Sequence, residues 1–257
     1  MNFGPLYSSG YDLLNEGKDY SAEMSFILDA ISGISGNRFE PKSVIDFGCG
    51  SGKHLAELPK SVINVVGVDR SQEMLDIARS HLPSSIELYE SEIKDFRSSS
   101  KFDLVMSLFH VASYQTTVDE ILHYWKTLSE SVSEYGYIFV DFWHRPAWES
   151  DPPVKRVTEK TNENLSVRRM STPSINSLLG TVEIDIEVNF RDLNGSEESY
   201  LELHILRGFT LLELELAIKP FGLEIVKSGT WLDIKPTLES DSWYGYVVLR
   251  KLETEGS

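Results

Sequence analysis

The first residues with a chemical signature are glycines that follow a short apolar run. Val44-Ile-Asp-Phe47 leads into Gly48, Gly50 and Gly52, and a helical segment begins directly afterwards. Glycines at such a junction let a ligand lie against the backbone and leave N–H groups exposed at a helix N-terminus. The pattern is not a P-loop, because its spacing is one residue short and His54 stands where Ser or Thr is needed. It also lacks the spacing of the dinucleotide fingerprint, so it predicts a different small ligand.

Two carboxylates flank this glycine turn, and their positions indicate which kind of ligand it could bind. Asp69 ends the next apolar run, 17 positions after Gly52, where a carboxylate can accept hydrogen bonds from both ribose hydroxyls. Asp46 stands immediately before the glycines, and no basic phosphate ligand lies close to it in sequence. An acidic residue there suits a cation, such as a sulfonium that carries an amino group, better than a pyrophosphate. The alternative is a glycine-rich turn that binds nothing.

The charge balance disfavours some kinds of binding partner. The chain has 257 residues, with 24 Lys and Arg against 40 Asp and Glu, which gives a formal net charge of −16. Binding to nucleic acid or to an anionic membrane requires basic surface, so this balance disfavours both. The single cysteine, Cys49, excludes an internal disulfide and a multi-cysteine zinc site, and no metal is expected. Without a signal-like N-terminus or an apolar run of ~18 residues, we expect a soluble cytoplasmic protein.

Strand and helix patterns alternate up to about residue 145. The apolar periodicity predicts strands at 43–47, 63–69, 86–89, 102–108 and 136–142, and helices at 20–34, 53–58, 72–81 and 118–131. A further helix at 210–219 and strands at 223–227 and 244–250 would complete seven strands. Such alternation is typical of a parallel, doubly wound sheet.

The pattern changes between these two stretches. Strands without intervening helices are predicted at 154–160, 164–171, 179–191 and 198–207. Thr181–Phe190 alternates strictly, as a half-buried antiparallel strand does, and Asn194-Gly195 supplies a tight turn. We therefore predict an α/β fold with a doubly wound, mostly parallel, seven-stranded Rossmann-like sheet and an antiparallel β insert after the fifth strand. The α/β domain would comprise residues 1–147 and 208–257, and the insert, with substrate or dimer contacts, residues 148–207.

Segments of the α/β part resemble the motifs of the class I S-adenosylmethionine-dependent methyltransferases. Asp46–Gly52, Gly67–Arg79, Tyr89–Phe96 and Phe102–Phe109 are similar to the first four motifs of that family, in this order. The resemblance implies an enzyme whose cofactor is S-adenosylmethionine. It implies cofactor contacts from Tyr11, Tyr20, Asp46, Gly48, Gly50, Gly52, Asp69, Arg70, Met74, Glu92, Ile93 and Ser107.

A narrower resemblance covers nearly the full length and points to the nucleotide-linked aminosugar N,N-dimethyltransferases. The segments that carry it are Tyr11-Asp12, Gly17–Tyr20, Met106–Tyr114, Asp141–Pro146, Glu202–His204 and Phe209-Thr210. The chain departs from that pattern in a shorter segment before Gly17 and at His144-Arg145, which replaces an aromatic pair. This family implies a small-molecule substrate, and its members pair through the insert, so a homodimer is expected.

Loop residues beyond the strand ends are the candidates for chemistry, because ligands of open α/β sheets bind there. We predict that His110 and Tyr114, after the fourth strand, are catalytic. The predicted substrate contacts are Trp143, His144, Arg169, His204 and Arg207. Each candidate also has a structural alternative: a packed tyrosine, a histidine satisfied within a strand, or an arginine on a wet face.

The predicted function is methyl transfer from S-adenosylmethionine to the amino group of a dTDP-linked amino-deoxysugar, once or twice. Two alternatives stay open: methylation of an oxygen or carboxylate of another small acceptor, and binding of S-adenosylmethionine without turnover. Acceptor-dependent formation of S-adenosylhomocysteine separates an enzyme from a binding protein.

Overall fold

The computed structural model describes residues 13–14, 17–233 and 237–252. In chain order its strands are β1 (Ser43–Phe47), β2 (Asn64–Asp69), β3 (Glu87–Glu90), β4 (Phe102–Ser107), β5 (Val132–Trp143), β6 (Arg156–Thr161), β7 (Leu165–Asn176), β8 (Thr181–Asp192), β9 (Glu197–Arg207), β10 (Leu223–Thr230) and β11 (Tyr244–Lys251). Seven of them form one sheet in the order β10-β11-β5-β4-β1-β2-β3, and β6 to β9 form a second sheet in chain order.

The larger sheet is mostly parallel, which confirms the predicted fold class. Strand β11 runs antiparallel to both β10 and β5, and the other pairs are parallel. The chain starts in the middle at β1, proceeds through β2 to the edge at β3, and returns to place β4 on the other side of β1. The carboxyl ends of β1 and β4 therefore mark the topological switch point, where a crevice opens above the sheet.

Helices cover both faces of this sheet. They are α1 (Tyr20–Ser35), α2 (Lys53–Ala56), α3 (Gln72–His81), α4 (Val118–Ser131), α5 (Ala147–Ser150) and α6 (Leu211–Ile218). Ile45 and Phe47 of β1 belong to the core cluster that contains Trp125 of α4, and Val44 belongs to the cluster that contains Ile27 of α1. Helices on both faces of the sheet leave β1 buried at every position after Ser43, and three of its five residues are apolar.

Local capping explains where several helices begin. Thr117 and Thr210 each accept from the backbone N–H of a glutamate three residues on, whose side chain returns to the cap backbone. The predicted helix 53–58 is wrong at its end, since α2 stops at Ala56. Pro59 follows closely, and the residue before a proline is disfavoured in helical conformation. Within the described ranges, no helix combines the length and apolar character needed to cross a membrane.

The four-stranded sheet is antiparallel throughout and lies in the chain between β5 and α6. Strands β7 and β8 pair along their full length, so β7 continues to Asn176 rather than ending at residue 171. The inner face carries a small apolar cluster that contains Val167, Ile186, Val188 and Phe190. This face is turned toward the carboxyl ends of the large sheet and forms the second wall of the crevice.

Candidate active site

A cleft of about 990 Å³ lies between the two sheets. The predicted cofactor residues that line it are Tyr20, Gly48, Gly50, Asp69, Arg70, Met74 and Glu92. The predicted catalytic and substrate residues that line it are His110, Tyr114, Trp143, Arg169 and His204. The fold therefore brings residues from both sheets, which are far apart in sequence, to one cavity.

The glycine turn forms the floor at one end of this cleft. Gly48 has a φ of +82°, and a Cβ there would stand 2.4 Å from the Cγ2 atom of Val111, which excludes any side chain. Gly50, with a φ of +52°, faces more open space, where a Cβ would meet only the Met74 Cε atom at 3.5 Å. The first position is thus fixed by packing, and the second keeps the backbone accessible to a ligand.

Asp69 anchors this turn from the end of β2. Its Oδ2 atom accepts from the Gly50 N–H at 2.8 Å, and its Oδ1 atom accepts from the Ser71 N–H at 2.9 Å. Ser71 in turn caps α3 by accepting from the Met74 N–H. A carboxylate oxygen has more than one acceptor direction, so Asp69 can hold the turn and still accept from a ligand hydroxyl.

Asp46 lies beneath the turn and is 1% exposed. Its Oδ1 atom has no hydrogen-bond partner among the described residues. Burial raises its pKa from 3.8 to about 7; nearby His54 lowers it, and the charges of Asp69 and Asp141 raise it further. A buried acceptor without a partner is costly unless a donor or a cation reaches it. The site therefore fits a positively charged group above the glycines, as the sequence predicts.

Besides Asp46, three predicted cofactor residues do not line the cleft, although they support its walls. Gly52 immediately precedes α2, and a Cβ there would lie 2.6 Å from the Leu82 Cδ1 atom, so it serves helix packing. Ser107 is fully buried and donates to the Phe47 carbonyl at 3.0 Å. Ile93 packs against the apolar core. Tyr11 lies outside the described residues.

A buried ionic group between α1 and α2 was not predicted as a site. The Glu23 Oε2 atom lies 2.6 Å from the His54 Nε2 atom and 3.2 Å from the Lys18 Nζ atom. Tyr20 packs edge-on against the His54 ring, with 5.0 Å between their centroids. Burial lowers the pKa of Lys18, and the charges of Glu23 and Asp141 oppose that effect. This group fixes α1 against α2, which follows the glycine turn. The sequence feature that pointed to this group was the segment Gly17–Tyr20.

The other end of the cleft is built on the turn after β4. Phe109 and His110 both have a φ of +64°, which is rare for residues other than glycine. The His110 N–H donates to Asp141 Oδ1 at 3.0 Å. Its Nδ1 atom lies 2.9 Å from Asp141 Oδ2, close enough for an ion pair although not aligned for a hydrogen bond. Asp141, which was not predicted as a site residue, therefore holds a strained turn in place.

Tyr114 ends that turn and contacts the second sheet. Its Oη atom lies 2.7 Å from the Nδ1 atom of His204 on β9. The Nε2 atom of His204 lies 2.9 Å from the Oε2 atom of Glu202 on the same strand. Glu202 also lines the cleft and was not predicted as a site residue, although the segment Glu202–His204 was noted.

Strand alternation explains which substrate candidates reach the cleft. Trp143 lines it, whereas the next residue, His144, is buried and has its Nδ1 atom 3.1 Å from the Ser242 carbonyl oxygen. Burial lowers the pKa of His144. Arg207 lies on the opposite face of β9 from His204, where it pairs with Glu213 at 3.3 Å. The fold therefore does not bring His144 and Arg207 to the cleft with the other candidates.

Arg169 is the insert arginine that does reach the cleft. It pairs with Val188 of the inner face, so its side chain points inward. Its neighbour Arg168 points outward and forms an ion pair with Glu159 at 3.0 Å. The same alternation that buries Val188 thus selects one guanidinium of the pair for the cleft.

Comparison with known proteins places this architecture among methyltransferases. A family model described as a methyltransferase domain matches residues 44–132. The dTDP-3-amino-3,4,6-trideoxy-alpha-D-glucopyranose N,N-dimethyltransferase of Streptomyces venezuelae is 29% identical over 84% of this chain and 89% of the relative. The dTDP-4-amino-2,3,4,6-tetradeoxy-D-glucose N,N-dimethyltransferase of Saccharopolyspora spinosa is 24% identical over 86% of each. A solved S-adenosylmethionine-dependent methyltransferase from Clostridium acetobutylicum has a TM-score of 0.81, 21% identity, and coverage of 96% of this chain and 98% of that one.

Asp46 should make the stability of the protein depend on pH. Because its pKa is raised from 3.8 to about 7 in the folded state, its stabilising contribution is complete below the unfolded pKa and is lost as the pH rises through about 7. We expect the free energy of unfolding of the wild type to fall relative to Asp46→Asn by about 1.4 kcal/mol per pH unit up to that point. Urea unfolding of both proteins between about pH 5 and about pH 8 measures this difference.

Asp76→Asn is the matched control, because its side chain is 65% exposed on α3. We expect the difference between this variant and the wild type to stay nearly constant over the same pH range. A constant difference for Asp46→Asn as well would show that Asp46 is ionised in the folded state throughout.

A cationic cofactor is indicated by the fold, by the accessible glycine turn and by the buried carboxylate beneath it. The matches to known proteins identify this cofactor. That cofactor is S-adenosylmethionine. The chain is a class I S-adenosylmethionine-dependent methyltransferase that resembles the nucleotide-linked aminosugar N,N-dimethyltransferases.

Proposed function

We propose that this enzyme methylates the amino group of a nucleotide-linked amino-deoxysugar, with dTDP as the nucleotide. The observation that carries the proposal is the second wall of the cleft, where Arg169, Glu202 and His204 face the glycine turn. The relatives whose names state this activity match most of the chain. Their names place the amino group at different sugar carbons, so the proposal names the class of acceptor rather than one sugar.

We propose that the cofactor lies over the glycine turn. Gly48 and Gly50 would approach it through their backbone, Asp69 would bind the ribose, and Glu92 the adenine. Asp46 beneath the turn would stabilise the positive end of the molecule. When bound, S-adenosylmethionine supplies an electrophilic methyl group on its sulfonium.

The residues at the other end of the cleft support a role in preparing the nucleophile. A primary amine is mostly protonated near neutral pH, and only its neutral form has a lone pair for attack. Tyr114 and His110 line this end and can accept hydrogen bonds from an amino group. Trp143 would limit the access of water, and positioning behind the methyl group would supply most of the rate.

Arg169 is proposed to bind the diphosphate that links nucleotide and sugar. Its guanidinium faces the cleft from β7, and guanidinium groups match phosphate oxygens with two parallel hydrogen bonds. In this arrangement residues 148–207 would act as the acceptor-binding insert, and residues 1–147 and 208–257 as the cofactor domain.

We also propose that two copies of the chain pair through β9. This strand is an edge of its sheet, and its outer face presents Leu201 and Leu203, which are 75% and 58% exposed. An apolar row on an edge strand is a usual site of association between chains.

Methylation of an aminosugar nucleotide is the direct test of the function. The purified enzyme, S-adenosylmethionine and a panel of dTDP-linked amino-deoxysugars should give a gain of one or two methyl units on at least one sugar, read by mass spectrometry. Dimethylation requires that the first product, a secondary amine, attack in its neutral form. The absence of a gain on every sugar, with cofactor still bound, would overturn the proposed acceptor and leave the cofactor assignment intact.

Asp69→Ala should weaken cofactor binding by about 1–3 kcal/mol, because a carboxylate that accepts from the ribose and from the glycine turn is lost. Calorimetric titration with S-adenosylmethionine measures the change. Asp76→Ala, on the exposed face of α3, is the control and should bind as the wild type does. An unchanged affinity in Asp69→Ala would remove this residue from the cofactor site.

The homodimer is tested by sedimentation. We expect the wild type to sediment at twice the chain mass of 29.1 kDa and Leu201→Lys to shift toward the monomer. Leu178→Lys serves as the control, because Leu178 is 97% exposed in the turn between β7 and β8. A wild-type monomer at micromolar concentration would exclude the pairing.

A further inference from the structure

We infer that Glu202 and His204 form a proton relay that ends on the Tyr114 hydroxyl and removes a proton from the amino group of the substrate. The inference rests on the proposed function, since it assigns the path by which the acceptor amine becomes neutral. Tyr114 belongs to the large sheet's turn after β4, and the other two residues belong to β9 of the small sheet. The relay therefore exists only where the two sheets meet.

The chemistry of the three groups fixes the direction of their hydrogen bonds. The Glu202 carboxylate can only accept when ionised, so the His204 Nε2 atom at 2.9 Å carries the hydrogen. In a neutral imidazole the Nδ1 atom is then the acceptor. Tyr114 therefore donates its hydroxyl hydrogen to Nδ1 over 2.7 Å, which leaves the Oη lone pairs available to the cleft.

The surroundings favour this arrangement. The pKa of Tyr114 is raised, mainly by burial, so the side chain remains a hydroxyl group and can donate. The charge of Glu202 also raises this pKa, whereas the charges of Arg70 and Arg169 lower it. Of these charged residues, Arg70 lies in the loop after β2, Arg169 on β7 and Glu202 on β9. On β8 the residue opposite His204 is the apolar Ile184. Two nearby guanidinium groups also favour loss of a proton from any ammonium group beside Tyr114.

The relay leads from the half-buried tyrosine toward solvent. The His204 side chain is 27% exposed and that of Glu202 is 12% exposed. An imidazolium formed at His204 is stabilised by Glu202 and can release its proton to water at the mouth of the cleft. The hydroxyl in the cleft is thus connected to solvent through His204.

The proton transfer balances as follows. A bound ammonium group passes one proton to the Tyr114 oxygen while the hydroxyl passes its own proton to His204 Nδ1. The products are a neutral amine, a neutral tyrosine and an imidazolium paired with the Glu202 carboxylate. Attack of the amine on the methyl carbon then forms the C–N bond as the C–S bond breaks. The methylated product is again an ammonium ion, so a second methylation needs the same relay again.

A purely structural role predicts a different result. If the Tyr114–His204 contact only joined the two sheets, its loss would lower activity by the same factor at every pH. If the relay prepares the nucleophile, its loss matters only where the free amine is protonated. The pH dependence of kcat/KM separates the two roles, and Glu202→Gln tests it with the smallest change in shape.

For the wild type, kcat/KM should rise with pH and level off below the pKa of the free amine. In Glu202→Gln, His204→Gln and Tyr114→Phe, the rising limb should move to the pKa of that amine. Their rates should be at least about tenfold lower near pH 7 and should approach the wild-type rate once the amine is deprotonated in solution. Cofactor affinity should not change. The same fractional loss at all pH values, or an unshifted limb, would overturn the relay.

Glu198→Gln is the matched control for Glu202→Gln. Glu198 lies on the same strand and accepts from Tyr200 at 2.7 Å, but it does not line the cleft. Its pH profile should coincide with that of the wild type. A shifted profile in this control would assign the effect to general loss of negative charge on β9 and would count against the relay.

A second measurement tests the relay without the acceptor. In ¹⁵N spectra of the folded protein, the neutral His204 ring should carry its hydrogen on Nε2, where Glu202 accepts it. A hydrogen on Nδ1 would reject the relay even if methylation is observed. Conversely, a wild type that methylates no aminosugar rejects the proposed function, while the spectra still decide the relay.

Discussion

Gly48 approaches Val111 so closely that a side chain at position 48 would place its Cβ 2.4 Å from a valine methyl carbon. This contact joins the turn after β1 to the turn after β4, on the two sides of the topological switch point. The first turn presents its backbone to one end of the cleft, and the second carries His110 and Tyr114. The distance between these two turns is therefore set by close packing of the Gly48 backbone against a β-branched side chain, which has few alternative rotamers.

The acidic residues near this contact have different tasks. Asp69 uses both oxygens to hold the glycine turn, and Asp141 holds His110 in an unusual backbone conformation. Glu23 is shared by Lys18 and a histidine. Asp46 alone of these residues keeps a buried oxygen that has no hydrogen-bond partner among the described residues. Burial disfavours the ionised form of this carboxyl group. A cation bound above it would offset that cost and would itself be stabilised by the negative charge.

The antiparallel sheet completes the cleft rather than merely extending the molecule. Its inner face supplies apolar residues that close the crevice and four polar ones that line it, among them Arg169 and His204. The hydrogen bond from Tyr114 to His204 is the polar contact that crosses from one sheet to the other at this point. A methyl acceptor bound here would contact both sheets, and any change in their relative position would alter the site.

The sequence by itself determined the order and type of the strands and helices, because their apolar periods are local. It also predicted a ligand-binding turn at Gly48, Gly50 and Asp69, and these residues do line the cleft. It did not determine that Tyr114 meets His204, 90 residues away. It also did not show that His144 is turned from the cleft. Those facts depend on how one sheet packs on the other and on which face each strand then presents, and no local pattern encodes that packing.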